Sequence, residues 1–211
     1  MTTSFADPAT LPARADHVGT LHIAVELSGA GHHPAAAGLP GATPVGPARW
    51  IDFTSPSSRP LDLSARPAEV VRVRATDLRE ARAAYASVLD DALRGGRLRP
   101  VVLADVEVLL APDARRARRL LRELDAAESA TPTTLRYVGT PLGLAGLVAD
   151  IGAAHVADGV TLLPLTLPGA LEHIVTGTIP WLRSRGLVVD SDAVERAAGA
   201  VGLEASARRA S

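Results

Sequence analysis

LRYVGTPLGLAGLVADIGAAHVADGVTLLP, residues 135–164, reads as a strand, a helix and a second strand. Leu135-Arg136-Tyr137-Val138 is a short, mostly apolar run stopped by Gly139. Thr140-Pro141 has the form of an N-cap followed by proline at the first helical position, where a missing N–H costs nothing. Leu144, Leu147, Val148 and Ile151 then repeat at i, i+3, i+4 and i+7, the spacing of one helix face. Asp158-Gly159 turns the chain into Val160–Leu163, which reads as a buried strand. Strand, helix, strand in that order is the unit of a parallel α/β sheet.

The alternation continues on both sides. Upstream, Pro100–Leu110 (PVVLADVEVLL) is a long strand and Glu69–Ala75 (EVVRVRA) another. Between them Thr76 is the expected N-cap, Asp77 and Glu80 suit the positive end of the helix dipole, and Leu78, Ala81, Tyr85, Val88, Leu89 and Ala92 form one face. Gly95-Gly96 stops that helix. A further helix is expected from near Pro112, with Ala117, Leu120, Leu121 and Leu124 inward. Leu21–Leu27 alternates as a strand and runs into the loop Ser28–Pro34, residues 35–49 carry no period, and Trp50–Phe53 and Leu61–Leu63 are short strand candidates. Downstream, Pro168 opens a last helix that Pro180 should end or kink. The expected fold class is α/β with five or six strands in a mostly parallel sheet. One domain over residues 19–200 is expected between an amino-terminal segment, 1–18, and a frayed tail, 201–211.

Composition excludes several chemistries. Among 211 residues there is no cysteine and no lysine, so disulfides, thiolate nucleophiles, Schiff bases and a phosphate-loop lysine are absent. The formal net charge of −1 provides no field to recruit nucleic acid or an anionic membrane. With aromatics at only 3%, the core must be built mainly from Ala, Val and Leu. Residues 1–17 lack the form of a secretion signal, and no apolar run approaches the roughly 20 residues of a membrane span, so the expectation is a cytoplasmic protein.

Two stretches resemble the luciferase-like flavin-dependent monooxygenases, in their nitrilotriacetate/dibenzothiophene-sulfone branch. Leu21–Ala36, with Gly31-His32-His33 after an apolar strand, looks like that family's first barrel strand and its loop. Arg136–Pro141, Ala157–Pro164, Leu167–Leu171 and Ile179–Gly186 follow the order and spacing of its carboxyl-terminal part. The resemblance implies an incomplete or remodelled (β/α) TIM-barrel-like fold, since such barrels need about 250 residues. It further implies reduced FMN (a deazaflavin in other branches), a separate flavin reductase and a small-molecule substrate. Ala37-Gly38 replaces the family's Trp-Arg pair, and Ser64-Ala65-Arg66-Pro67 stands where a glycine-rich phosphate cradle is expected. The competing reading is therefore a non-catalytic binding or partner protein that kept the scaffold and lost the flavin site. A sheet left open at its edges implies a homodimer.

His32 and His33 are the candidate catalytic residues, because a histidine at a strand's carboxyl end faces the mouth of a barrel, where it can position substrate or move a proton. The competing reading is a solvent-facing or locally bonded loop histidine. No metal site is expected, since the adjacent histidines diverge and no further ligands have the right spacing. Arg59, after a Ser-rich loop, is the candidate cofactor-binding residue, its planar fork suiting a phosphate or carboxylate. Arg72 and Arg74 share one face of their strand, where they line a polar groove, bind an anion or pair across a subunit boundary, unless that face is simply wet because covering barrel segments are missing. The arginines from Arg115 to Arg122 read as a solvated helix face.

Overall fold

Val102, Ala104, Val106, Val108 and Leu110 point to one side of a strand whose other side carries Leu103, Asp105, Glu107 and Leu109. This alternation of an apolar face and a mixed face organises the sheet. The computed structural model describes residues 21–29, 31–38, 50–54 and 69–200. Arg59, the Leu61–Leu63 strand candidate, the Ser64–Pro67 segment and both terminal segments lie outside the described residues.

The elements are β1 (His22–Glu26), a 3₁₀ turn (Pro34–Gly38), β2 (Trp50–Asp52), β3 (Val70–Val73), α1 (Leu78–Arg94), β4 (Val101–Leu110), α2 (Ala114–Ala127), β5 (Leu135–Gly139), α3 (Pro141–Ala153), β6 (Gly159–Pro164), α4 (Gly169–His173), α5 (Ile179–Ser184) and α6 (Ser191–Ala200). The strands form one six-stranded sheet in the order β2-β1-β6-β4-β3, with β5 also on β4. It curls into an open half-barrel.

The sheet is mixed, which corrects the expectation of a mostly parallel one. β2 lies antiparallel to β1, with Ala24 opposite Asp52 and Glu26 opposite Trp50. A parallel neighbour needs a crossover, usually a helix, to carry the chain back. The aperiodic residues 35–49 supply no such helical pattern, and the chain returns beside β1 in the opposite sense.

Strand β4 has the other unusual pairing. β6 occupies one edge, while β3 (on Val101–Ala104) and β5 (on Val106–Leu110) follow one another along the other edge. Thr134 closes the seam between them: its hydroxyl donates to Asp105 O at 2.8 Å and accepts from Ala75 N at 3.3 Å.

Helix placement follows from handedness. Parallel crossovers are right-handed, and the step from β3 to β4 runs opposite to the step from β4 to β5. α1 therefore packs on the apolar face, whereas α2 packs on the other. The main core joins Val25, Val106 and Leu162 to Ala81 of α1, Leu144, Val148 and Ile151 of α3, and Leu171, Ile174 and Ile179 behind β6. A smaller cluster on the opposite face joins Leu109, Leu165 and Ala36 to Leu124 of α2. Burying each such leucine or isoleucine contributes about 2 kcal/mol.

The helix starts are polar. Thr140 caps α3 through Gly143 N, as expected. For α1 the cap is Asp77, which accepts from Glu80 N at 2.7 Å, and not Thr76. Thr76 instead donates its N–H and hydroxyl to the Glu80 carboxylate at 2.7 and 2.9 Å. Between α4 and α5 a single π turn, Ile174–Thr178, admits Pro180. The proline ring would collide with the carbonyl four residues back in a regular helix, and the wider turn relieves this.

Candidate functional site

The mixed face carries the charged side chains. Residues level with one another across the sheet form rungs on it. One rung holds Ala24 of β1, Thr161 of β6 and Asp105 of β4, with Arg74 just past the end of β3. The next holds Glu26, Leu163, Glu107 and Arg136.

These side chains show that the mixed face is concave. Arg72 on β3 donates to Glu26 on β1 at 2.9 Å, although β4 and β6 lie between. Arg72 is level with His22, so Glu26 lies three strand spacings across and four residues along, about 19 Å on a flat sheet, whereas the two extended side chains and the bond between them span about 15 Å. Only a sheet curled toward this face lets them meet.

Buried carboxylates need partners, and each has them. Asp105, 1% exposed, accepts Arg72 Nε at 2.8 Å and Arg72 Nη2 at 3.0 Å as a bidentate pair, and Arg74 Nε at 3.1 Å. Glu107 accepts Arg136 Nε at 2.7 Å and the Thr133 hydroxyl at 3.1 Å. Burial raises the Glu26 pKa, but hydrogen bonds from Ser28 and the Arg72 guanidinium outweigh it and hold the carboxyl below its usual range. For Arg72 burial acts downward, and the Asp105 and Glu26 carboxylates more than reverse it.

The paired histidines have different fates. His33 is buried; its Nδ1 accepts the Ala35 N–H at 3.2 Å, so its Nε2 carries the proton and donates to Asp125 Oδ1 at 3.0 Å. Both ring nitrogens are engaged, and the side chain fastens the 3₁₀ turn to α2. His32 is half-buried, and its Nε2 is enclosed without a partner among the described residues. Burial lowers its pKa, so the ring is neutral at pH 7. Two glycines set its position. Gly29 adopts φ +91°, which favours a residue without a side chain, and a Cβ at Gly31 would run into Leu163. The loop thereby lies against the Glu26–Glu107 rung, at the carboxyl ends of β1 and β6.

Arg72 and Arg74 share a face as expected and find their partners within the chain. The acids are what the reading of the sequence misses. Their signal was present: Asp105 and Glu107 stand two apart in an otherwise apolar strand, matching the period of the two arginines. On α2, Arg115, Arg118, Arg119 and Arg122 line, with Leu121, an open groove of about 720 Å³. None of these arginines has an ion pair among the described residues. No helix among the described residues is long and apolar enough to cross a membrane.

No protein-family model matches the sequence, and no curated protein does. Solved structures match in fold. Riboflavin lyase (RcaE), solved with modified FMN and riboflavin, is 17% identical at a TM-score of 0.50, over 58% of this chain and 40% of its own. DmoA from Hyphomicrobium sulfonivorans is 17% identical at 0.50, over 61% and 40%. The long-chain alkane monooxygenase LadA is 16% identical at 0.50, over 58% and 38%. The chain spans about two fifths of the length of these proteins, and what it shares with them is the fold.

Proposed function

We propose that the chain binds FMN on its concave face, as a homologue of the luciferase-like monooxygenases that take reduced flavin from a separate reductase and oxidise a small molecule. The observation that carries this reading is the His32 Nε2, a buried nitrogen without a partner among the described residues, at the carboxyl end of β1. Buried polar atoms are nearly always satisfied, so an exception at a strand's carboxyl end marks a place for a ligand atom. The resemblance to flavin monooxygenases and the fold shared with a lyase solved with modified FMN support the choice of ligand.

The described residues fit such a group. The neutral His32 ring offers one hydrogen bond to a flavin carbonyl or imide, and the exposed end of Arg74 suits an oxyanion. Reduced FMN, when bound, supplies the electrons that activate oxygen. The chain's own residues orient and enclose. Arg72 draws β1 and β3 together across the concavity, the Leu109–Leu124–Leu165 cluster keeps water from the carboxyl ends of β4 and β6, and His32 holds or moves a proton at Nε2.

A second reading has its own observation. α2 packs across the carboxyl end of the concave face, and His33 is wholly committed to holding it there. A scaffold closed in this way suits a non-catalytic binding or partner protein. Titration with oxidised and reduced FMN, followed by flavin fluorescence and thermal unfolding, separates the two. Saturable binding that weakens in His32→Ala supports the first reading; no binding at saturating flavin sinks it.

A further inference from the structure

We propose that Arg74 is the anchor for an oxyanion group, a carboxylate or a phosphate, of a small molecule bound on the concave face. This rests on that face being the ligand-binding face, though not on flavin chemistry.

Arg74 uses only Nε, which donates to Asp105; neither terminal nitrogen has a partner among the described residues, and the side chain is 56% exposed. The guanidinium is nevertheless held. Asp105 is buried and fixed by the bidentate bond from Arg72, so the bond from Arg74 Nε ties that guanidinium to a rigid point before a ligand arrives. A tethered guanidinium whose free edge carries two parallel N–H donors matches the two oxygens of a carboxylate or phosphate.

An independent observation lies on the same rung. Thr161, on the far side of Asp105 from Arg74, is fully buried, and its hydroxyl has no hydrogen-bond partner among the described residues. Its other neighbour on the rung is Ala24, which offers only a methyl group. An unsatisfied buried hydroxyl costs about 1–3 kcal/mol, and here it stands beside the carboxylate that orients Arg74. The rung thus combines an open donor edge at its exposed rim with an unsatisfied hydroxyl in its interior, two polar groups without partners among the described residues, on either side of Asp105. The arginines of α2 lack any such second feature.

The test is a titration of the full-length chain with inorganic phosphate and, separately, malonate, followed by arginine side-chain ¹⁵N NMR. The expected result is a saturable shift of the Arg74 Nε resonance by at least one of the two probes. Binding should weaken about tenfold or more in Arg74→Gln, the loss expected for charge-assisted bonds, and stay unchanged in the Arg118→Gln/Arg122→Gln variant. Arg74→Lys, which keeps the charge without the fork, should fall between. A stronger response to phosphate identifies a phosphate-bearing ligand, and to malonate a carboxylate. No saturable response to either probe overturns the proposal, as does a response that survives Arg74→Gln or disappears with the α2 variant. The titrations contain no flavin, so a failure to bind FMN and a failure here are separate results.

Discussion

Replacing Asp105 by asparagine removes the charge that two guanidiniums share, while leaving the side chain's volume in place. Breaking one side of a buried pair costs about 3 kcal/mol, and the partial exposure of Arg72 and Arg74 brings this toward the lower end. The expected outcome is a lower urea midpoint with an unchanged m-value. His32 gives a second test, through pH. Burial makes its folded form refuse a proton that the unfolded ring accepts, so stability is complete above the ordinary histidine pKa and declines as pH falls below it. His32→Gln should reduce the difference between urea midpoints at about pH 7.5 and about pH 5.5; equal differences in both proteins would refute the assignment. Glu26 acts in a lower window. Its depressed pKa supplies stability above the ordinary carboxylate range that is lost only as pH falls through the folded value. Of these residues, His32 and the Arg72/Arg74 pair were legible in the sequence, because strand ends and a shared strand face follow from a period of two. Asp105 and Glu107 became legible only with the register, since nothing in one strand says which charge lies level on the next.

At the scale of elements, the seam on β4 depends on one hydroxyl. Thr134→Val keeps the shape but leaves Asp105 O and Ala75 N without their partner, at a cost of about 1–3 kcal/mol. Hydrogen exchange should quicken at Ala75 and the carboxyl end of β3, with the α3 amides unaffected. Thr140→Ala should cost about 1 kcal/mol by uncapping α3. Helices α1, α2 and α3 and strands β3 to β6 could be read from periodicity and punctuation, because each obeys its own local rule. The α1 cap lies one residue beyond the expected Thr76, since Thr76 and Asp77 are both good caps and only the fold decides which of them accepts from Glu80. The existence of β2 is legible at Trp50–Phe53, but its antiparallel direction is not: strand direction is set by where the chain has been, and residues 35–49 carry no pattern that reports it.

For the molecule as a whole, the half-barrel leaves backbone groups along the outer edges of β2, β3 and β5 without strand partners among the described residues. Exposed edges invite pairing. The expectation is a homodimer at micromolar concentration, checked by size exclusion with light scattering; a clean monomer would remove this part of the reading.

The position of α2 dictates how the half-barrel can grow. Because that helix lies over the hollow and His33 clamps it to the first loop, no visiting strand can descend through the mouth to complete a ring. Growth is possible only sideways, in the plane of the sheet, by strands joining at its two flanks. Grafted strands appended at the hollow should therefore fail to dock, while ones spliced next to Trp50 have a free border to extend.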